Sequence, residues 1–184
     1  PRTWDDYIAV TQGDPGATLV PPDTCGATGP LHTIAIVNAN LSAFVKSTGA
    51  RVLNVSLNSF WNVTGLIGDP RAVYDPHSRR FIVMADTFNV SATLYFAISQ
   101  SSDPTGSWFK FSLATNVGSD AGRWPDYPTL GVDARGIYTA AYMVGSTAIM
   151  TPWAIDKAPL LGAIPAVGTI TAFRSPPFED RKST

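Results

Sequence analysis

Short runs of β-branched and aromatic residues, bounded by Gly, Pro, Asp, Asn or Ser, recur along the whole chain. Residues 51–57 show the pattern most clearly, because Leu53, Val55 and Leu57 alternate with polar and smaller residues. A period of two residues is typical of a half-buried β-strand. No stretch carries a helical pattern longer than a turn or two, so the alternation predicts an all-β fold.

The predicted strands fall into three groups separated by turn residues. The first group covers residues 31–38, 41–46 and 51–57. The second covers residues 71–74, 80–86, 93–99 and 107–113, and the third covers residues 129–132, 137–144, 147–155 and 166–173. A further strand is predicted within the N-terminal extension, at residues 7–10.

One strand-opening pattern, clearest in residues 68–83, returns in residues 126–138 and, more weakly, in residues 22–34. Its opening aspartates, Asp23, Asp69 and Asp126, are 46 and 57 residues apart. About fifty residues per four-stranded unit is the period of a β-propeller blade. The recurrence therefore favours a β-propeller over the alternative, a β-sandwich.

The predicted division of the chain is an N-terminal extension, about three blades and a loose tail. The boundaries are residues 1–20 for the extension, about 21–65, 66–120 and 121–174 for the blades, and 175–184 for the tail. Propellers usually have four to eight blades, and an open ring exposes strand edges. We therefore expect further blades of the same protein, or partner chains, to complete a larger propeller. The chain begins at Pro1, which we interpret as a processed chain or a fragment.

The composition of the chain excludes several classes of function. Charged residues make up 15% of the chain and the net charge is −1, so it lacks the basic surface of a nucleic-acid-binding protein or of one that binds anionic membranes. No apolar run approaches the roughly 20 residues that a membrane-spanning helix needs. Cys25 is the only cysteine, which leaves two alternatives: an inert thiol, or a disulfide to another chain or to a further part of the protein.

Four Asn-x-Ser/Thr sequons are more than the Ser and Thr content predicts by chance. They predict a secreted, N-glycosylated protein, unless the Ser/Thr richness produced them by accident. The acceptor residues are Asn40, Asn54, Asn62 and Asn89.

Several motifs, taken in order, resemble a family of large secreted, mostly bacterial proteins that are expected to be β-propellers. They are PPDTCGATGPLH at residues 21–32, FW at 60–61, GDPRAVYD at 68–75, AISQSSDPTGSW at 97–108 and DYPTLGV at 126–132. The resemblance covers residues 21–155 and implies a propeller fold and an extracellular address. It implies no particular activity, since the family is largely uncharacterised. Cys25 lies where the family more often has a small or polar residue.

The turn at residues 101–108 also resembles the Asp-box of sialidase-type propellers, with its glycine displaced by one position. In that family the Asp-box is a structural hairpin. The resemblance therefore implies that Asp103 caps backbone amides of the turn and that Trp108 packs between blades.

The three opening aspartates are the main candidates for chemistry. Carboxylates of Asp23, Asp69 and Asp126 that converge at one mouth of a channel could bind Ca²⁺, which prefers oxygen ligands. They could also supply the acid and base of a glycosidase. The alternative is structural, with each aspartate capping its own turn.

A second set of candidates could bind a ligand. Trp124 and Tyr127, predicted to lie in a loop beside Arg123, could form a platform for a sugar ring. His32, near a strand start, could face the channel. Two dispersed histidines and one cysteine do not predict a zinc site, and no serine-hydrolase, metalloprotease or phosphate-loop motif is present.

The sequence thus predicts an extracellular propeller module for structural assembly, adhesion, or glycan or protein binding. The alternative is a carbohydrate-active enzyme, glycosidase- or sialidase-like, with carboxylates facing the channel. A third alternative is a Ca²⁺-stabilised lectin-like binder.

Overall fold

The computed structural model describes residues 8–88 and 92–174, and these form three antiparallel sheets. The first sheet contains β1 (Cys25–Thr28), β2 (His32–Val37), β3 (Asn40–Val45) and β4 (Arg51–Ser56). The second contains β5 (Ile67–Asp75), β6 (Arg80–Thr87), β7 (Thr93–Ser99) and β8 (Trp108–Ala114). The third contains β9 (Trp124–Asp126), β10 (Gly131–Val132), β11 (Gly136–Val144), β12 (Ile149–Asp156) and β13 (Ile170–Ala172).

Each sheet is an up-and-down meander with four strand positions. In the third sheet β9 and β10 both pair with β11, along the same edge, so they act as one interrupted first strand. The sheets do not close into a ring. The predicted all-β, partial-propeller fold is confirmed. The last predicted strand, residues 166–173, is shorter than expected, since only Ile170–Ala172 pairs with β12.

Two apolar layers hold the three sheets together. Strand β6 contributes to both layers, because successive side chains of a strand point to opposite faces. Phe81 and Val83 pack toward the first sheet, whereas Ile82 and Met84 pack toward the third, and all four are fully buried. The middle sheet is thus apolar on both faces, as a sheet covered on both sides must be.

The first strands of neighbouring sheets lie side by side. Strand β1 contacts β5, and β5 contacts β10. In a propeller the strands that meet in this way line the central axis. The end of each sheet where β1, β5 and β9 begin is called the axial end below.

The N-terminal segment covers the outer face of the first sheet. Asn40 Nδ2 donates to the Pro15 carbonyl at 2.8 Å, and Arg51 Nη1 lies 2.7 Å from Asp14 Oδ1. The strand predicted at residues 7–10 is wrong, since residues 8–10 form no strand; Tyr7 lies outside the described residues. Gly16, at φ 79°, allows this close approach, because a β-carbon there would clash with the Ala39 carbonyl.

A short helix, α1 (Leu57–Trp61), follows β4 and was not predicted. Ser56 is its N-cap, with Oγ accepting the Ser59 N–H at 3.2 Å. The helix places Phe60 and Trp61 between the first two sheets, where the Trp61 indole N–H donates to the Phe96 carbonyl at 3.2 Å. The aromatic pair therefore packs between sheets, as predicted.

The turn before β8 has the structural role expected of an Asp-box. Asp103 Oδ1 accepts the Thr105 backbone N–H at 2.9 Å, and the Trp108 indole donates to the Pro104 carbonyl at 2.9 Å. The Trp108 ring meets Phe60 edge-on at 5.4 Å between the ring centroids. The turn thereby joins the second sheet to the first.

A buried ion pair joins the second and third sheets at the end opposite the axial end. Lys157 Nζ lies 2.7 Å from Asp75 Oδ2, and both side chains are almost completely buried. Lys157 also donates to the Asp133 carbonyl. Asp75 additionally accepts hydrogen bonds from Ser78 Oγ and the His77 N–H. The carboxylate therefore has a full set of donors.

The outer face of the third sheet has no cover among the described residues. Side chains on this face are exposed and large: Tyr138 by 41%, Tyr142 by 46%, Met150 by 36% and Phe173 by 55%. Tyr138 and Phe173 border a shallow groove of about 430 Å³ that also includes Pro152. No helix in the described part of the chain is long and apolar enough to span a membrane.

Candidate functional site

The first strand of the second sheet carries a β-bulge at the axial end, and the pairing gains one extra residue in the same way just before β1 and between β9 and β10. In the second sheet, Gly68 pairs with Asp86 but Arg71 pairs with Met84, so Asp69 and Pro70 together oppose Ala85. The first residue of each bulge has a left-handed backbone: Asp23 at φ 43°, Asp69 at φ 47° and Tyr127 at φ 47°. A bulge of this kind ends regular pairing and redirects the side chain.

The pairing register corrects the predicted repeat. Asp126 pairs with Tyr142 as Gly68 pairs with Asp86, so Tyr127, not Asp126, is the counterpart of Asp69. The intervals between equivalent bulge residues are 69 − 23 = 46 and 127 − 69 = 58 residues. The prediction of Asp126 as the third opening residue was therefore wrong by one position. Asp126 is an aspartate like Asp23 and Asp69, so residue type alone favours the wrong alignment.

Hydrogen bonds link the three bulges across the sheets. The Tyr127 N–H donates to Asp69 Oδ2 at 3.2 Å, and the Asp69 N–H donates to Asn38 Oδ1 at 2.7 Å. Asn38 Nδ2 donates to Asp23 Oδ2 at 2.5 Å. A β-carbon at Gly68 would lie only 2.8 Å from Asn38 Oδ1, so glycine permits this contact. The bulges thus form one connected chain around the axial end.

Two aspartates of the axial end, Asp23 and Asp126, act on the ionisation of Asp69. Burial raises the pKa of Asp69 to about 6; a hydrogen bond with Asp23 and the charges of Asp23 and Asp126 add to the rise, while the Tyr127 N–H opposes it. The action of Asp23 and Asp126 on Asp69 places the three predicted aspartates in one electrostatic cluster. The structure therefore brings together the residues that the sequence singled out.

Asp86 is a fourth member that the sequence analysis missed. Its side chain is fully buried, and neither carboxyl oxygen has a hydrogen-bond partner. Burial raises its pKa to about 9, and the charges of Asp69 and Asp126 add to the rise; its own backbone N–H and Arg71 oppose it to a lesser extent. The available signal was an aspartate that ends an otherwise apolar run, residues 81–85.

The cluster extends from the surface into the interior. Asp23 and Asp126 are partly exposed, Asp69 is 5% exposed and Asp86 is completely buried. In the described part of the chain, no three His, Cys, Asp or Glu side chains are arranged to hold a metal ion together. The predicted Ca²⁺ site at Asp23, Asp69 and Asp126 thus gains no support from the described residues and stays a prediction.

The aromatic residues of the predicted sugar platform, Trp124 and Tyr127, lie in two different environments. Trp124 belongs to strand β9 rather than to a loop, and its ring meets Phe88 at 6.3 Å between centroids. Tyr127 is 59% exposed, but the Arg71 guanidinium already lies over its ring, 4.1 Å from the centroid. Arg123 donates to the Thr147 and Ser119 carbonyls, so its guanidinium has a structural role.

His32 lies away from the cluster. It begins β2, whereas Asn38 follows the end of that strand, and six residues of extended chain span about 20 Å. Its Nδ1 is buried without a partner. His32 and the aspartates therefore lie at opposite ends of the sheet, and the prediction that His32 faces the channel stays a prediction.

The four sequon asparagines differ in accessibility. Asn40 is fully buried and its amide donates to Pro15 and Asn54, so the prediction of a glycan on Asn40 is incompatible with the fold. Asn54 is half-buried and donates to Asp14. Asn62 is exposed at the C-cap of α1. Asn89 lies outside the described residues.

Comparisons with known proteins support the fold and add no function. No family model matches the chain, and no curated protein matches it in sequence. Among solved structures, it is similar to a subtype N11 neuraminidase-like protein of A/flat-faced bat/Peru/033/2010 (H18N11), with a TM-score of 0.50 and 8% sequence identity. The match covers 82% of this chain and 37% of the neuraminidase-like protein.

The structural match agrees with the architecture described above. The neuraminidase-like protein is a β-propeller, and this chain spans little more than a third of its length. At 8% identity the similarity concerns the fold alone. The three open sheets therefore correspond to a part of a propeller.

Proposed function

We propose that this chain is an assembly and interaction module of a propeller, whose third sheet receives a further four-stranded blade. The observation that carries the proposal is the uncovered apolar face around Tyr138, Tyr142 and Met150. The two other sheet-to-sheet contacts are built from the same kind of alternating apolar residues. The occupant that matches this face is another blade of the same propeller, supplied by the same protein or by a partner chain.

The two outer faces of the molecule support this choice of surface. On the first sheet, Asn40, Ser42 and Phe44 are at most 2% exposed, and Asn40 donates to Pro15 of the N-terminal segment. On the third sheet, alternate residues of β11 and β12 remain exposed. Large exposed apolar patches on soluble proteins mark interaction sites. The proposal includes adhesion or glycan binding by the completed propeller, and a secreted address supported by the sequons, with Asn62 as the accessible acceptor.

The test is the molar mass of the 184-residue chain in solution, measured by size-exclusion chromatography with light scattering. We expect concentration-dependent association above the 19.6 kDa of one chain, because the apolar face finds a second copy when no further blade is present. The double variant Tyr142→Lys/Met150→Lys should be monomeric. Val52→Lys, at a 42% exposed position on β4, is the matched control and should associate like the wild type.

Two results would contradict the proposal. One is a monodisperse, stable monomer at all concentrations tested. The other is an equal loss of association in Val52→Lys, which would show that added charge, rather than the third-sheet face, is responsible.

A carbohydrate-active enzyme is the second candidate, and the raised pKa of the Asp69 carboxyl beside Asp23 favours it. Glycosidases use one protonated and one ionised carboxyl group. The apolar groove on the first sheet reaches Asn38, but none of the four aspartates lines it. We therefore rank the module first. Release of fluorophore from a panel of glycosides, including a sialoside, that is lost in Asp69→Asn would reverse this order.

A further inference from the structure

The buried carboxyl group of Asp86 is the starting point. Its counterparts at the same register position are Asn38 in the first sheet and Tyr142 in the third. Asn38 has partners on both of its polar atoms, Asp69 N–H on the oxygen and Asp23 on the nitrogen. Asp86 has none on either oxygen, although it is fully buried. Since buried polar groups in native proteins are satisfied, this position lacks a donor.

The surroundings of Asp86 require a donor that is also positively charged. Asp69 and Asp126 act on it with negative charge, and Asp23 extends the negative potential to the surface. Arg71 is the cation that acts on Asp86, but its guanidinium lies over Tyr127 and donates to the Pro70 carbonyl. The cluster thus attracts a cation and leaves two acceptor oxygens free for it.

A metal ion fits this position poorly. Ca²⁺ requires six to eight oxygen ligands, and Mg²⁺ requires a near-octahedral set. The described residues bring no three acidic side chains around one point. A group that carries its own N–H donors needs only acceptors, which Asp86 and Asp69 supply.

The same two sheets show how this molecule neutralises a buried aspartate. At the opposite end, Asp75 is as deeply buried as Asp86, and Lys157 of the neighbouring sheet supplies an ammonium group that also donates to a backbone carbonyl. The lysine stem accompanies the charge into the interior, as long amphipathic side chains do. Asp86 is equally buried, but its carboxyl oxygens have no such ammonium partner.

We propose that the axial end binds the side chain of a lysine from another polypeptide segment, with its ammonium group between the carboxylates of Asp86 and Asp69. The segment enters past the partly exposed Asp23 and Asp126. This inference does not depend on the association through the third sheet, because it concerns the axial end rather than the outer face.

Binding is linked to a proton. The raised pKa of Asp86 means that its carboxyl group is neutral at pH 7 in the free protein. The ion pair forms only with the carboxylate, so a proton leaves Asp86 for solvent as the ammonium group binds. Below the pKa, each pH unit raises the ionised fraction of Asp86 about tenfold.

The experiment is a ¹H–¹⁵N NMR titration of the full chain with Nα-acetyl-lysine amide, followed at the backbone amides of Asp69 and Tyr127. We expect saturable shifts, and an affinity that increases about tenfold between pH 7 and pH 8. Nα-acetyl-norleucine amide, which lacks the ammonium group, should cause no shifts. Asp86→Asn should bind at least tenfold more weakly at pH 8 and lose the pH dependence, whereas the exposed Asp156→Asn control should behave like the wild type.

Three outcomes would overturn the inference. Equal shifts with the norleucine amide would show that charge is irrelevant. Tighter binding of CaCl₂ than of the lysine amide at the same residues would assign the site to a metal. Tighter binding of glucosamine than of the lysine amide, with no effect of acetylating its nitrogen, would assign the site to a sugar rather than to a polypeptide.

Discussion

The two ends of the β5–β6 hairpin place one aspartate each in the interior, and the two carboxyl groups behave in opposite ways. Asp75 and Asp86 are both completely buried. Burial alone raises the pKa of Asp75, but hydrogen bonds from Lys157, Ser78 and the His77 N–H outweigh it, so the pKa of Asp75 is lowered. The pKa of Asp86 is raised to about 9. Burial therefore does not determine the charge of a carboxyl group; its donors do.

The difference also separates a structural role from a functional one. Asp75 has its hydrogen-bond donors within the described chain, and its ion pair with Lys157 connects the second sheet to the third. Asp86 has no hydrogen-bond donor on either carboxyl oxygen, and it lies where the bulges of three sheets meet. A carboxyl group kept buried without donors costs stability, and such costs are concentrated at functional sites. The axial end, rather than the end at Asp75, is therefore the candidate functional site.

The largest expected change in the free energy of unfolding comes from removing the cation beside Asp75. Lys157→Met should lower the free energy of unfolding at pH 7 by about 3–5 kcal/mol, because it leaves a buried carboxylate without its cation. Urea unfolding followed by tryptophan fluorescence measures this loss. The double variant Lys157→Met/Asp75→Asn should recover part of it, and a loss below about 1 kcal/mol in the single variant would show that the pair is not buried as described.

A substitution at Asp86, at the axial end, should stabilise the protein rather than destabilise it. Asp86→Asn should raise the free energy of unfolding at pH 7 by up to about 4 kcal/mol, from about 1.4 kcal/mol for each pH unit between the ordinary pKa and pH 7. A raised carboxyl pKa gives stability that is present at low pH and is lost as pH rises toward the folded-state pKa. The gain should therefore disappear near pH 4, and destabilisation by Asp86→Asn at pH 7 would contradict the account.

The sequence was sufficient for the architecture but only for part of the site. Alternating apolar residues and Asp-Pro turns predicted the three sheets, because period and turn chemistry are local properties. The offset between Asp126 and Tyr127 was not predictable, since it depends on which residues of β11 pair with β9. Helix α1 was missed although Ser56 is a favourable N-cap, because its apolar residues also suit a strand.

Asp86 shows why the rest of the site could not be predicted. In sequence it is the last polar residue of a strand, and such residues are usually solvated. Its burial results from packing of β6 between two sheets, which is a tertiary property. Asp69 could be singled out because it marks a turn, but its coupling to Asp23, 46 residues earlier, also appears only in the folded chain.

The most direct test of the central claim is the ionisation of Asp86 itself. The ¹³Cγ chemical shift of its side chain, followed by NMR from pH 3 to pH 10 and assigned with Asp86→Asn, reports the carboxyl group alone. We predict a midpoint near pH 9, while Asp75 titrates below its ordinary value of 3.8. A midpoint for Asp86 near 4 would contradict the account, because it would show a carboxylate that already has its donors.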